Sequence, residues 1–231
     1  MSRSCRTGLW LAVSIIAAAQ LAPAPTSAQS PRPLGIVDLL SVPRLTDPRL
    51  SPDGRDVVFA RSDADWKSGK RITHIWHARV DAGAPVQLTH GSEDENAPRW
   101  SPDGRTIAFT TKRGENEFEQ IYLLPVDGGE ARALTSHSSK VSDLEWMPDG
   151  SSLLFIAPDP KTAEEKQRDK EKDDVYAFDE NFKQTHLWKV DVKTGAETRL
   201  TSGDFSVTNY TVSNDGRCAW LGLPAGWRTA V

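Results

Sequence analysis

A turn sequence that returns at regular intervals is the feature that most limits the folds open to this chain of 231 residues. Four Asp-Gly pairs precede apolar runs, at spacings of 50, 46 and 66 residues. Upstream of the last three lies a Leu-Thr pair whose threonine is always 14 residues before the aspartate. The aspartates are Asp53, Asp103, Asp149 and Asp215, and the threonines are Thr89, Thr135 and Thr201. A constant register of this kind indicates a structural repeat.

The turn has a mechanical interpretation in its fullest form, Ser-Pro-Asp-Gly, at residues 51–54 and 101–104. Proline presets the dihedral of the second turn position, aspartate bonds its own backbone and glycine tolerates the exit geometry. The tetrapeptide therefore joins two antiparallel strands.

The strand after each turn is predicted to be buried on both faces. Positions four and six residues past the aspartate share one face, because side chains alternate along a strand. They hold Val57, Ile107 and Leu153, then Phe59, Phe109 and Phe155, while the intervening position holds Val58, Ala108 and Leu154. Two further strands end at Leu-Thr, so each unit has four strands. The sequence predicts an all-β chain that forms an incomplete β-propeller of about three and a half four-stranded antiparallel blades.

The repeat sets the predicted boundaries. Blades are expected at about 44–89, 95–135 and 141–201, with an incomplete fourth blade at 207–231. After Gly216 the glycines and proline of "GLPAGWRTAV" suggest a loop, so we expect no third strand in that blade. Residues 29–43 form an N-terminal segment before the first blade.

Residues 1–28 are predicted to be a secretory signal peptide. Arg3 and Arg6 precede an apolar run from Leu9 to Leu21, and Thr26 and Ala28 suit cleavage after Ala28. The run is too short for a spanning helix. We therefore expect a periplasmic or secreted protein that does not reside in the membrane after cleavage.

Charge and cysteine content limit the partners and the cross-links. Cleavage changes the formal net charge from −4 to −6, because it removes two arginines and no acids. An acidic chain without a basic stripe disfavours nucleic acid as a partner. Of the two cysteines, Cys5 lies in the signal peptide, so Cys218 has no partner for an internal disulfide.

The sequence contains no recognisable catalytic or metal motif. The motifs Gly-x-Ser-x-Gly, His-Glu-x-x-His and the phosphate-binding glycine loop are all missing from the 231 residues. His74 and His77 are three residues apart on a predicted strand, so they point to opposite faces and cannot share a metal. We predict no catalytic residue, no metal ligand and no cofactor; the residues that bind substrate are left open.

Three acidic stretches are candidate sites. Glu93, Asp94 and Glu95 suggest either a cation site or, preferably, a solvated turn. From Lys161 to Asp174, 11 of 14 residues are charged, and pairs such as Glu164 with Arg168 favour a short exposed helix. That excursion suggests a solvated rim, with a lid or docking role as the alternative, and Glu164 and Glu165 within it are interpreted as solvated.

The third stretch alternates acids with aromatic residues. It contains the pair Asp179 and Glu180, with Tyr176, Phe178 and Phe182 around it. A rim loop tucked under its own aromatics is the preferred interpretation, and a site for a substrate ammonium group is the alternative. The sequon at Asn209 matters only in a host that glycosylates exported proteins.

The blade sequences resemble a known group of propellers. "RWSPDGRTIAFTT" resembles the TolB-like W-S-P-D-G repeat. Residues 37–60, "VDLLSVPRLTDPRLSPDGRDVVFA", are similar to the start of the propeller in bacterial prolyl oligopeptidase-family serine peptidases of the acylaminoacyl peptidase and dipeptidyl peptidase type. "LWKVDVKTGAETRLT" is also typical of them. The resemblance covers residues 36–217.

This resemblance implies a two-domain enzyme in which a propeller of about seven or eight blades caps an α/β-hydrolase domain with a Ser-Asp-His triad. The cap would admit peptides and exclude folded proteins. The hydrolase domain normally follows the propeller, and these residues reach only a fourth blade. No catalytic residue is therefore carried over, and the chain is expected to be inactive alone and to self-associate through the open propeller edge.

Two other functions are compatible with a propeller fold. A TolB-like envelope propeller that binds proteins is the alternative, but that family places an α/β domain before the propeller, where residues 29–43 leave little room. A lactonase-type propeller needs metal-binding side chains at repeat-constant positions, and those positions here are apolar.

Overall fold

A computed structural model describes residues 33–81, 83–171, 183–223 and 226–230. The helices and strands all belong to the unit that begins at Ile36. Sheet I contains β1 (Arg44–Leu50), β2 (Asp56–Asp65), β3 (Lys70–Arg79) and β4 (Val86–Gln87). Sheet II contains β5 (Glu95–Trp100), β6 (Thr106–Thr111), β7 (Gln120–Pro125) and β8 (Arg132–Ala133). Sheet III contains β9 (Ser142–Trp146), β10 (Ser152–Pro158), β11 (Thr185–Asp191) and β12 (Glu197–Arg199). Sheet IV contains β13 (Asn209–Val212), β14 (Ala219–Leu223) and β15 (Gly226–Ala230).

The sheets confirm the predicted fold class, an incomplete β-propeller. Within each sheet the strands pair antiparallel in chain order. In the part of the chain that the structure describes, two short helices lie outside the sheets: α1 (Ile36–Ser41) precedes β1, and α2 (Ala163–Glu171) lies between β10 and β11. One apolar core lies between each pair of consecutive sheets, and we call these contacts junctions I/II, II/III and III/IV.

The predicted turn geometry has a definite hydrogen-bond basis. Ser51 Oγ donates to Asp53 Oδ1 at 2.6 Å, and the same oxygen accepts from the Arg55 amide at 3.1 Å. These two bonds hold the pKa of Asp53 below its ordinary value. Gly54 follows with φ of 72°, which glycine adopts at little cost. The same bonds recur at residues 101–105 and 213–217.

The Leu-Thr register also has a structural cause. Each threonine is buried, and its hydroxyl accepts a backbone N–H from the third strand of its own sheet. The pairs are Thr89 with Ile75 at 2.9 Å, Thr135 with Ile121 at 3.0 Å and Thr201 with Leu187 at 2.9 Å. The hydroxyl continues the ladder beyond the short fourth strand, so threonine satisfies a buried donor that leucine or valine would leave unpaired.

One feature of the repeat has no signal in the sequence. The first strand of sheets I, II and III contains a residue with positive φ: Asp47 at 51°, Ala97 at 52° and Asp143 at 53°. Their spacing matches that of the turn aspartates. The pairing register shifts beside all three, where the strand bulges. Alanine gives no signal of this conformation, so the sequence did not reveal it.

The prediction of a loop after Gly216, with no third strand in the fourth sheet, was wrong. Residues 226–230 form β15, which pairs with β14 from Leu223 opposite Gly226 to Ala219 opposite Ala230. Gly222, one of the glycines that suggest a loop, lies within β14. A Cβ there would meet Asn209 Oδ1 at 1.9 Å, so glycine serves the close approach of a neighbouring side chain.

Burial of both strand faces, predicted for every blade, holds for sheets II and III but not for sheet I. Phe109 and Phe155 are fully buried, whereas Phe59 at the same repeat position is only half-buried, as is Val57. Val58 and Ala60 on the other face of β2 pack in junction I/II. No sheet among the described residues covers the Phe59 face, which we call the outer face of sheet I.

Candidate functional site

A buried carboxylate with two partly exposed partners lies at junction I/II. Glu95, the first residue of β5, is fully buried. Its Oε2 lies 2.9 Å from Nδ1 of His74 on β3, and its Oε1 forms an ion pair with Arg113, which follows β6. We call these three residues the junction cluster. The prediction of a solvated turn is correct for the exposed Glu93 and Asp94 and wrong for Glu95.

The repeat shows how unusual Glu95 is. It lies six residues past Thr89, and the same offset from Thr135 and Thr201 leads to Val141 and Val207. Both valines are buried in the apolar cores of junctions II/III and III/IV. Burial of a carboxylate costs several kcal/mol unless it is paired, so this position requires partners that the other junctions do not need. The comparison with the two valines was available in the sequence and would have identified Glu95.

A surface cleft of about 620 Å³ adjoins the junction cluster. Its walls are the connections at residues 88–93, 112–114 and 129–131, so Arg113 belongs to both. The Arg113 guanidinium lies over the rings of Phe109 and Tyr122, with centroids at 5.6 and 5.2 Å. A Cβ on Gly91 would lie 2.7 Å from Glu95 Oε1. The cleft wall can therefore approach the buried carboxylate only because residue 91 is glycine.

A second charged group lies on the first strands of the sheets. These strands, β1, β5, β9 and β13, contact one another in order, as strands around a propeller axis do. Arg99 joins three of them: it donates to Asp47 Oδ2 at 2.5 Å and to the Leu144 carbonyl at 3.0 Å. Asp47 also pairs with Arg49 at 2.8 Å. We call Asp47, Arg49, Arg99, Asp143 and Glu145 the axial cluster.

Of the two acids on β9, Asp143 is exposed and Glu145 is half-buried, and desolvation by the surrounding protein raises the pKa of both carboxyls. Arg99 and Arg49 oppose this shift. Among the described residues, no donor bonds the Asp143 carboxylate. Tyr210 of β13 donates to the Asp143 backbone carbonyl at 2.5 Å, and burial raises the pKa of this phenol well above its usual value. The axial cluster thus presents cations and a carboxylate with spare acceptors on neighbouring strands, which suits polar chain molecules such as peptides.

The histidines considered for a metal lie on β3 with different partners. His74 contacts Glu95, whereas His77 Nε2 lies 2.8 Å from Asp56 Oδ1 and its ring meets Trp100 edge-on. Within the described ranges, no three His, Cys, Asp or Glu side chains are grouped closely enough to hold a metal ion.

The charged excursion contains the expected short helix, α2. Glu165 is not simply solvated: its Oε2 accepts from Lys183 Nζ and from the Thr162 amide, both at 2.6 Å. These bonds lower the pKa of Glu165 to about 2. Glu164 is exposed, as expected.

The candidates Asp179 and Glu180, with Tyr176, Phe178 and Phe182, lie outside the described residues. Asn209 is exposed on β13, and neither described helix has the length and apolarity to cross a bilayer.

Comparisons with known proteins agree with this architecture. A protein-family model described as "TolB beta propeller domain" matches residues 43–184, more than half of the chain. The uncharacterized peptidase YuxL of Bacillus subtilis is 36% identical over 94 residues, which are 41% of this chain and 14% of that protein. Dipeptidyl-peptidase 5 of Porphyromonas gingivalis is 33% identical over 75 residues, 32% of this chain and 11% of that protein.

A solved structure gives the same fold. The acylaminoacyl peptidase of Pyrococcus horikoshii superposes with a TM-score of 0.55 at 17% identity, covering 84% of this chain and 33% of that one. The chain therefore matches only a small part of the length of each of these proteins.

Proposed function

Because the chain belongs to the TolB β-propeller family, we propose that it forms the substrate-gating propeller of an exported serine peptidase that acts on peptides. The observation that carries the proposal is the peptidase identity of the two relatives, YuxL and dipeptidyl-peptidase 5. The axial cluster supports it, because charged groups on the first strands offer polar contacts to a peptide along the propeller axis.

An exposed apolar surface supports a domain that covers the propeller. Ile36, Val37 and Leu39 of α1 and Leu45 and Leu50 of β1 are all more than half exposed. Arg71 of β3 holds the end of α1 in place, since its guanidinium donates to the carbonyls of Leu40 and Val42, both at 3.0 Å. An apolar patch fixed in this way is typical of an interaction site. We propose that the hydrolase domain of the full-length enzyme packs on it.

Peptide binding tests the gating role. Trp100 and Trp146 end β5 and β9 and donate to first-strand carbonyls at 3.0 and 3.1 Å, so their fluorescence reports on the axis. We expect unstructured peptides of a few residues to quench it and a folded protein to leave it unchanged. Asp143→Asn should weaken peptide binding by about tenfold, the effect of one charge-assisted hydrogen bond. The exposed turn variant Asp127→Asn is the matched control. Equal quenching by the folded protein contradicts gating.

Activity and export require separate tests. Since the 231 residues contain no Gly-x-Ser-x-Gly nucleophile, we propose that the chain alone hydrolyses no aminoacyl chromogenic peptide. Turnover that a serine-directed inhibitor abolishes would contradict this.

Export through residues 1–28 predicts a mature chain that starts at Gln29, which N-terminal sequencing of the exported fraction checks.

We further propose that the outer face of sheet I pairs with a second copy when the chain is isolated. Phe59 and Val57 leave apolar surface there, whereas the preceding sheet covers the equivalent residues at junctions I/II and II/III. Sedimentation velocity should detect dimers or larger species, and Phe59→Lys should shift the population toward monomer. A compact monomer at every concentration contradicts the proposal.

The TolB description of the family keeps a protein-binding envelope module as the alternative. It predicts that peptides leave the tryptophan fluorescence unchanged at every concentration, whereas the gating role predicts saturable quenching.

A further inference from the structure

A small cavity between α2 and the β6–β7 connection has an unusual charge. It measures about 270 Å³ and is lined by Glu117, Phe118, Ser138, Lys161, Lys166 and Lys170. Three lysines and a serine thus line it together with one glutamate. The complete chain is acidic, with a formal net charge of −4, so a cationic cavity departs from its overall balance.

The start of α2 is fixed by reciprocal bonds. The Glu165 amide donates to Thr162 Oγ1 at 3.2 Å, while Glu165 Oε2 accepts from the Thr162 amide at 2.6 Å. This is a capping box, which fixes where the helix begins. Lys183 adds an ion pair to the same carboxylate. The Glu165 carboxylate is therefore already paired with Lys183 and with the Thr162 amide of the cap.

Lys166 and Lys170 are four residues apart, so they lie on one side of the helix, one turn from each other. Among the described residues, no carboxylate lies within ion-pair distance of either, and the Ser138 hydroxyl makes no hydrogen bond. Lys161 already has an interaction of its own. Two like charges held over one cavity repel each other, and an anion placed between them removes that cost and supplies acceptors for both.

We propose that this cavity binds a small polyvalent oxyanion, with Lys166 and Lys170 as the charged ligands and Ser138 as a further donor. Phosphate is the simplest member of the class, and its size suits a cavity too small for a folded partner. The site is independent of the peptide-gating function, since it uses no residue of the axial cluster or of the junction cluster.

Titration calorimetry with inorganic phosphate tests the proposal, with sodium chloride of matched ionic strength as the reference. We expect saturable binding of one phosphate per chain. Loss of both ammonium groups in Lys166→Gln/Lys170→Gln should weaken it at least tenfold, because each charge-assisted bond contributes about tenfold or more. Lys166→Arg/Lys170→Arg should retain binding. Lys189→Gln/Lys193→Gln, on β11 and in the turn that follows it, is the matched control and should bind as the unaltered chain does.

Either of two results overturns the proposal: a phosphate response equal to that of chloride, or unchanged affinity in the Lys166→Gln/Lys170→Gln chain. Circular dichroism of each variant establishes that its sheets are intact. A competition experiment with the peptide triglutamate distinguishes acidic peptide side chains from free oxyanions as the natural ligand. Displacement of phosphate by triglutamate supports the site with acidic peptide side chains as ligands, and failure to displace supports it with free oxyanions.

Discussion

Junction I/II and junction II/III solve the same packing problem with different chemistry. At one repeat position junction II/III buries Val141, while junction I/II buries Glu95 and supplies His74 and Arg113 as partners. The surrounding framework is the same at both junctions. The turn aspartates, the threonine hydroxyls that accept from the third strands, and the bulged first strands recur in sheets I, II and III. A repeat therefore provides a background against which one departure stands out, and this departure lies beside the 620 Å³ cleft.

The largest effect is expected when the charged residue is moved to the apolar junction. Val141→Glu places a carboxylate among Leu144, Leu153 and Phe155 without a described cation to pair it. A buried unpaired charge is among the most destabilising changes known, so we expect a loss of more than about 4 kcal/mol in the free energy of unfolding. Urea denaturation followed by tryptophan fluorescence measures it. A loss under about 1 kcal/mol would mean that this junction is hydrated.

The next largest loss of stability is expected when the native carboxylate at junction I/II is removed. Glu95→Ala leaves His74 and Arg113 without their shared anion, and breaking a buried pair in this way costs about 3–5 kcal/mol. The exposed neighbour Glu93 provides the control, since Glu93→Ala should change the free energy of unfolding by no more than about 0.5 kcal/mol. Similar values for the two variants would show that the burial of Glu95 has no energetic consequence.

A smaller effect tests the framework that both junctions share. Thr135→Val keeps the shape of the side chain but leaves the Ile121 amide without its acceptor, which should cost about 1–3 kcal/mol. Thr89→Val should cost a similar amount in sheet I, because Thr89 plays the same role for Ile75. Thermal unfolding of both variants measures the costs, and a large difference between them would contradict a shared framework.

The smallest effect concerns a second polar departure, at His186. This side chain is fully buried on β11, contacts Thr201 Oγ1 at 3.2 Å and has Asp159 and Arg199 nearby. Burial, and then Arg199, lower its pKa. The unfolded chain therefore binds this proton more readily, so the contribution of His186 to stability falls as the pH drops through the unfolded value of 6.5.

Sheet II supplies the control for His186, because Gln120 occupies the same position two residues before the strand's aromatic residue. Urea unfolding at pH 7.5 and 5.5 should show a smaller loss of stability on acidification for His186→Gln than for the unaltered chain. Contributions from Asp143 and Glu145, whose raised pKa values act in the opposite direction at lower pH, cancel in that difference. An identical pH dependence in both chains would contradict the assignment.

The sequence predicted the repeated parts of the fold better than the single departures. The Leu-Thr register and the Ser-Pro-Asp-Gly turn are local patterns, and the structure gives each a hydrogen-bond basis that is the same in several sheets. Glu95 was misread because the string of acids around it resembles a solvated turn, and its partners lie 21 and 18 residues away. The bulge at Ala97 and the tight contact of Gly222 depend on neighbouring strands, which local sequence does not encode.

The axial cluster illustrates the same limit. No spacing connects Asp47 with Arg99, since their contact follows only from the stacking of sheets I and II. Its chemistry could be recognised once the first strands were known to be neighbours.

A double-mutant cycle between Glu95 and Arg113 tests most directly whether junction I/II is held by its buried ion pair. Urea unfolding of the unaltered chain, Glu95→Gln, Arg113→Gln and the double variant gives the coupling free energy. We predict a coupling of about 1–3 kcal/mol, as for contacting residues in one buried network. The exposed pair Arg79 and Asp81 should give a smaller coupling, because solvent screens it. A coupling between Glu95 and Arg113 no larger than that of the exposed pair would contradict the account.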